Sequence, residues 1–227
     1  MYNEEPLLRP ERELMKLALK RIREGLVLDF GCGNGRHMGL YSLYGLRCIG
    51  IDIQAKMIEL ARNYEEVVIA DGRYLPFKNC FDLIMVRYVL HHMTNPCLGL
   101  SEIARCLRVG AFLLLFEVIE DNPLISIGRR VYPWYRDIPV ISKFRKKELI
   151  GWLRNLGFRI VSQREDTYIT WVLEALASTI YKKKVFLRSI IRRVAVALNF
   201  LEDFLRRIRF PPGHYYCLAQ RLSWSSW

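Results

Sequence analysis

Through the first half of the chain, short and nearly continuous apolar runs alternate with segments of helical periodicity. The runs are VLDF, RCIGID, EVVIAD, DLIMVRY and FLLLFEVI, and between most of them apolar side chains recur at intervals of three and four. Strands apolar on both faces and separated by helices of that length read as βαβ units around a parallel sheet covered on both sides. Upstream, ERELMKLALKRIRE sets Leu14, Leu17, Ala18 and Ile22 among charges at helical spacing, and Gly25 is expected to end that helix. The turn after VLDF is expected to open a helix running to about Leu43.

Beyond Glu120 the alternation breaks. Residues 121–142 are rich in Pro, Arg and aromatics, including Tyr132, Trp134 and Tyr135, which predicts a partly irregular connection. KKELIGWLRNLGF then reads as a helix closed by Gly157, and FRIVSQRE as a sixth strand. Residues 168–208 have room for two helices. The second, over 185–208, carries Leu187, Ile190, Ile191, Val194, Leu198, Leu201, Leu205 and Ile208 at i, i+3, i+4, i+7 spacing, with arginines between them. Pro211, Pro212 and Gly213 stop it, and HYYCLAQRL forms the last strand.

Length and composition narrow the class. A chain of 227 residues fits one domain with modest insertions. No apolar stretch reaches the roughly 18 residues of a membrane span, and the N-terminal segment lacks the order of a secretory signal, so a cytoplasmic protein is expected. Six scattered cysteines without a CxxC pair read as buried free thiols, and no metal site is expected. The net charge of +12 changes the picture once it is located. Residues 125–147 hold seven Lys/Arg against one acid and residues 168–210 nine against three, while the rest of the chain balances. A basic excess confined to two segments points to an anionic partner met there.

The candidate chemistry begins at DFGCGNG. Asp29 precedes Gly31, Gly33 and Gly35 at a strand-to-helix turn, where glycines let a ligand approach the backbone and unpaired N–H groups face it. The dinucleotide pattern would need glycine where Arg36 stands, and the P-loop Gly-Lys-Ser/Thr is absent. An acid ahead of the glycines suits a ligand carrying an ammonium group. Asp52 lies nineteen residues after Gly33, the distance at which a βαβ unit sets a carboxylate on ribose hydroxyls; capping the next helix is its alternative role. In ADGRYLPF, Asp71 either accepts from an exocyclic amine or serves as a turn residue, and Leu75, Pro76 and Phe77 offer an apolar wall.

DFGCGNG, GID, ADGRYLPF, FDLIMVRYVLHHM and LRVGAFLLLFEV, in this order and spacing, resemble the class I S-adenosylmethionine-dependent methyltransferases, in particular the small-molecule group that includes the ubiquinone and menaquinone C-methyltransferases. The resemblance covers residues 25–120 and, more loosely, KKELIGWLRNLGF. It implies a three-layer Rossmann-like α/β fold with a seven-stranded sheet, mostly parallel with an antiparallel last strand, and a helical insertion before that strand. Length and charge placement together predict a single methyltransferase domain over residues 1–227, with 121–147 and 168–210 as basic cap insertions. S-adenosyl-L-methionine is the implied cofactor. Asp29, Gly31, Gly33 and Gly35 would line its methionine part, Asp52 the ribose, Ile53 the adenine face, and Asp71 with Gly72 the adenine amino edge. Arg87 would contribute mainly backbone near the methionine moiety. Arg108, Val109, Gly110 and Ala111 stand where the family usually has RPGG.

Transfer from a sulfonium needs in-line alignment and exclusion of water more than a reactive side chain. A hydroxyl or carbon-acid acceptor would also need a base, and the candidates are His91, His92 and Glu117. Packing or helix capping is the alternative for the two histidines. Tyr88, Tyr132, Trp134 and Tyr135 would line an aromatic pocket or belong to the core. The basic segments attach after strands five and six, where a cap over the acceptor belongs. The expected acceptor is a small, hydrophobic, lipid-like molecule, with helix 185–208 lying on an anionic membrane or covering the pocket. RNA, most naturally tRNA, is the alternative partner, and a non-catalytic cofactor-binding scaffold the third class. The wide, continuous apolar face of helix 185–208 favours the first.

Overall fold

The structure, a computed structural model, describes residues 9–22, 24–35, 37–63, 66–122, 125, 141–167, 200–201, 204–205 and 207–223. Seven strands form one sheet in the order β3-β2-β1-β4-β5-β7-β6. They are β1 (Leu26–Phe30), β2 (Arg47–Asp52), β3 (Glu66–Ile69), β4 (Phe81–Arg87), β5 (Leu107–Val118), β6 (Phe158–Asp166) and β7 (His214–Arg221). β1 to β5 pair in parallel, and β7 runs antiparallel between β5 and β6. The expected mostly parallel sheet with an antiparallel last strand is therefore present. The strand order reverses between β1 and β4, and ligands of such sheets bind outside the C-terminal strand ends at that point.

Alternation along the strands builds two cores. Leu28 and Phe30 of β1, Ile84 and Val86 of β4, and Tyr215 and Cys217 of β7 face α4 (Pro96–Cys106) and α5 (Lys146–Asn155). Val27, Leu83, Met85, Leu114, Phe116 and Tyr216 face the other way, against α1 (Arg9–Leu19), α2 (Gly39–Ser42) and α3 (Ala55–Ala61). Local chemistry starts the helices where they start. Asn95 caps α4 by accepting from the Leu98 N–H at 3.1 Å with Pro96 at the first position, and Glu148 reaches back to the Arg145 N–H at 2.7 Å in α5.

Three boundaries differ from the sequence reading. α1 ends at Leu19, not near Gly25, and Ile22 reaches the core from the segment that carries the chain to β1. The helix expected from the glycine turn to Leu43 is only Gly39–Ser42, because Gly31, Gly33 and Gly35 all hold positive φ (76, 54 and 75°), which a right-handed helix excludes. β5 begins at Leu107, ahead of Gly110, and its pairing with β4 shifts register between Phe81 and Leu83. Most of the two cap segments, with Tyr132, Trp134, Tyr135 and the helix over 185–199, lies outside the described residues.

One buried ion pair fastens α1 to the sheet. Glu11, without solvent exposure, accepts from Arg87 at the end of β4 through Nε (3.2 Å) and a terminal nitrogen (3.3 Å). Removing one partner leaves the other charge uncompensated. Glu11→Ala is expected to cost about 3 kcal/mol in urea unfolding, the figure for breaking a buried pair; a loss within about 0.5 kcal/mol, typical of surface changes, would contradict this.

Candidate cofactor and acceptor site

The glycine turn is shaped by its neighbours on β2 and β4. Gly31 and Cys32 both donate from their backbone to the Ile51 carbonyl at 2.8 Å, and the Gly33 N–H donates to Asp52 Oδ2 at 3.0 Å. Asp52 Oδ1 takes the Gln54 N–H at 2.9 Å, so the carboxylate secures the loop and the start of α3 together. A carboxylate has about four acceptor directions, and two remain for ligand hydroxyls. A Cβ on Gly33 would meet nothing within 4 Å, so the backbone there is open to an incoming molecule. A Cβ on Gly31 would lie 2.4 Å from Val89 Cγ2, because the turn after β4 presses directly on the loop.

The remaining candidates divide between ligand-facing and structural positions. Ile53, just past β2, is 63% exposed, an apolar face available to a flat ring. Asp71 is held by Arg73 through Nε (3.0 Å) and a terminal nitrogen (2.6 Å), and these bonds keep its carboxyl below the usual range. An exocyclic amine would share Asp71 with that guanidinium. Gly72 answers to packing: a Cβ there would meet the Phe30 ring at 2.3 Å. Arg87 engages through its side chain as well, pairing with Glu11, standing 3.2 Å from His37 Nε2 and lying 5.0 Å over the Tyr88 ring.

Asp29 lies buried beneath the loop, on the α1 side of the sheet. Burial pushes its carboxyl from 3.8 to about 7, offset in part by Arg87 and reinforced by Asp52. Burial likewise raises the Cys32 thiol to about 12, so this loop cysteine is neutral. On the opposite face, Glu117 is fully buried and does not open to solvent. Its Oε1 accepts from the Val89 and Leu90 N–H groups and its Oε2 contacts His91 Nδ1, each at 2.7 Å. His91 and His92 occupy the 3₁₀ turn Leu90–His92 with ring centroids 3.9 Å apart. The Glu117 contact escaped the sequence reading, since 26 residues separate it from His91. The acid in the FEV end of β5 was the available signal.

A family model described as a methyltransferase domain matches residues 28–115, the part that builds β1 to β5. The uncharacterized methyltransferase YcgJ of Bacillus subtilis is 32% identical over 56% of this chain and 54% of its own. Its solved structure superposes with a TM-score of 0.60 at 19% identity, over 93% of this chain and 99% of that one. A demethylmenaquinone methyltransferase of Corynebacterium kroppenstedtii is 30% identical over 52% of each chain. The Mus musculus protein named probable tRNA methyltransferase 9B is 27% identical over 69% of this chain and 34% of its own. Residues 28–115 are thus similar to a methyltransferase domain, and the sheet has the fold of that domain's solved relatives. The chain spans about half the length of the curated relatives it matches.

The residues at this edge fit S-adenosylmethionine. The open backbone at Gly33, the spare acceptor capacity of Asp52 and the uncovered Ile53 side chain match a nucleoside, and Asp29 is a buried acid for a cationic group. Asp52→Ala is expected to weaken S-adenosylmethionine binding at least tenfold by calorimetry. No binding by the wild type would contradict the cofactor assignment.

Asp29 links pH to stability. Its folded carboxyl titrates at about 7, above the ordinary 3.8, so the folded protein retains a proton that the unfolded chain releases between these values. Stability therefore falls as pH rises through that window and levels off above it. Asp29→Asn, which mimics the protonated acid, is expected to gain over the wild type as pH goes from 5 to 8, reaching on the order of 2–4 kcal/mol. Thermal melts at each pH measure the gap, and a constant gap would disprove the burial argument.

Proposed function

We propose that the protein transfers the methyl group of S-adenosylmethionine to a small hydrophobic acceptor of the isoprenoid, quinone or lipid-like class, with His91 as the base. One observation carries the reading: Val89 joins the two halves of the site, its side chain against Gly31 and its N–H on Glu117. The cofactor loop and the histidine turn are thereby in direct contact.

The bound sulfonium supplies an already activated methyl group. Asp52 and the Gly33 backbone orient the donor, and the packed turn 88–92 excludes water from the edge beside it. Oε1 of Glu117 is taken by two backbone N–H groups; with Nδ1 of His91 donating to Oε2, the Nε2 lone pair takes the acceptor's proton. Glu117 is thus a positioning residue. His92 lies beside this ring as a polar neighbour. The demethylmenaquinone methyltransferase relative supports a quinone-like acceptor. The tRNA methyltransferase relative and the basic segments favour a second reading, in which the acceptor is RNA.

Incubation with radiolabelled S-adenosylmethionine and fractionated cell extract tests both. Label in the organic phase is expected, label in RNA would establish the second reading, and no label in any fraction would end both. His91→Asn is expected to lower kcat on the order of 10²–10³-fold, the usual contribution of a positioned base. Cofactor affinity should stay unchanged. A kcat equal to that of the wild type would remove His91 from the chemistry.

A further inference from the structure

An amphipathic helix of a globular protein normally carries one apolar stripe, and that stripe faces the core. The helical residues ahead of β7 carry two. Leu205 is buried, while Phe200, Phe204 and Ile208 are 73%, 56% and 55% exposed. These three stand four residues apart, one above another along a single side. Arg207 and Arg209 are exposed beside them, within a segment of nine basic and three acidic residues over 168–210. The sequence pattern groups Leu201, Leu205 and Ile208 as one apolar face, whereas in the structure Ile208 is exposed with the phenylalanines.

The end of this helix is anchored at the candidate site. Arg209 takes a left-handed conformation (φ 54°) and the Phe210 N–H closes on the Leu205 carbonyl at 2.9 Å, a Schellman-type stop. Asn122 Nδ2 then donates to the Pro211 carbonyl at 2.8 Å. Gly213 bonds Asp166 on one side and Ile119 on the other, each at 2.9 Å. The stripe is therefore carried at the C-terminal edge of β5 and β6, the edge where the cofactor loop and His91 meet. Aromatic and aliphatic side chains facing outward beside arginines are the pattern of a helix lying in the interface of an anionic bilayer. We infer that Phe200, Phe204 and Ile208 insert into an anionic membrane surface and hold the acceptor edge against it. The purpose of this surface rests on the hydrophobic-acceptor reading; its existence does not.

Co-sedimentation of the full chain, loaded with S-adenosylmethionine, with vesicles of phosphatidylcholine containing phosphatidylglycerol tests it against vesicles of phosphatidylcholine alone. At least tenfold stronger partitioning to the anionic vesicles is expected, weakening with salt. F200S/F204S/I208S is expected to lose at least tenfold while keeping its cofactor affinity. No vesicle binding by the wild type, or equal binding by the triple variant, overturns the inference. A triple variant that binds as before but becomes protease-sensitive over residues 168–199 would show that the chain itself covers the stripe. If the triple variant does not fold, Phe204→Trp serves instead: its emission should shift blue and be quenched by brominated lipid, and an unchanged spectrum overturns the inference. Methyl label in RNA together with stripe-dependent vesicle binding would remove the acceptor reading and leave the membrane surface standing.

Discussion

The Glu117 carboxylate is the point on which the site depends. A buried carboxyl is costly unless its oxygens find partners, and here two backbone N–H groups donate to Oε1 while the His91 ring meets Oε2. In satisfying the acid, these donors fix the turn that follows β4. That turn bears Val89 against Gly31, and the His91 carbonyl accepts from Ile141 and Ser142 where the chain re-enters toward α5. One carboxylate thus ties together the glycine loop, the candidate base and the far end of the first cap segment.

The other face of the sheet repeats the device with different residues. Asp166 contacts His214 Nδ1 at 2.7 Å and accepts from the Tyr216 hydroxyl at 2.6 Å, and all three are buried. Tyr88 stands between this cluster and Arg87, its ring 5.7 Å from that of His214, with a backbone φ of 57°. A bulky residue at positive φ persists only where its surroundings over-determine it. Arg87, Glu11 and His214 supply those surroundings.

Placing Asp29 beneath the loop adds a constraint of its own. Its burial favours the neutral acid, so the domain carries an electrostatic cost at neutral pH that a cation above the loop would relieve. Burial of the neighbouring Cys32 likewise pushes its thiol up, with Asp29 adding to the shift.

The sequence by itself determined the architecture and pointed to the cofactor. Strand and helix periodicity follow from local alternation, and the glycine turn, Asp52 and Asp71 are set by their distances from strand ends. Boundaries depending on backbone sterics, such as the short α2, were less legible, because positive φ at three glycines cannot be read from composition. What only the tertiary structure decided is which distant groups meet. Glu117 with His91, Glu11 with Arg87, Asp71 with Arg73 in place of a free acceptor, and Ile208 turned outward all depend on strand register and helix rotation. A one-residue slip in a strand would send each of its side chains to the opposite face, and no local pattern encodes the register between segments so far apart.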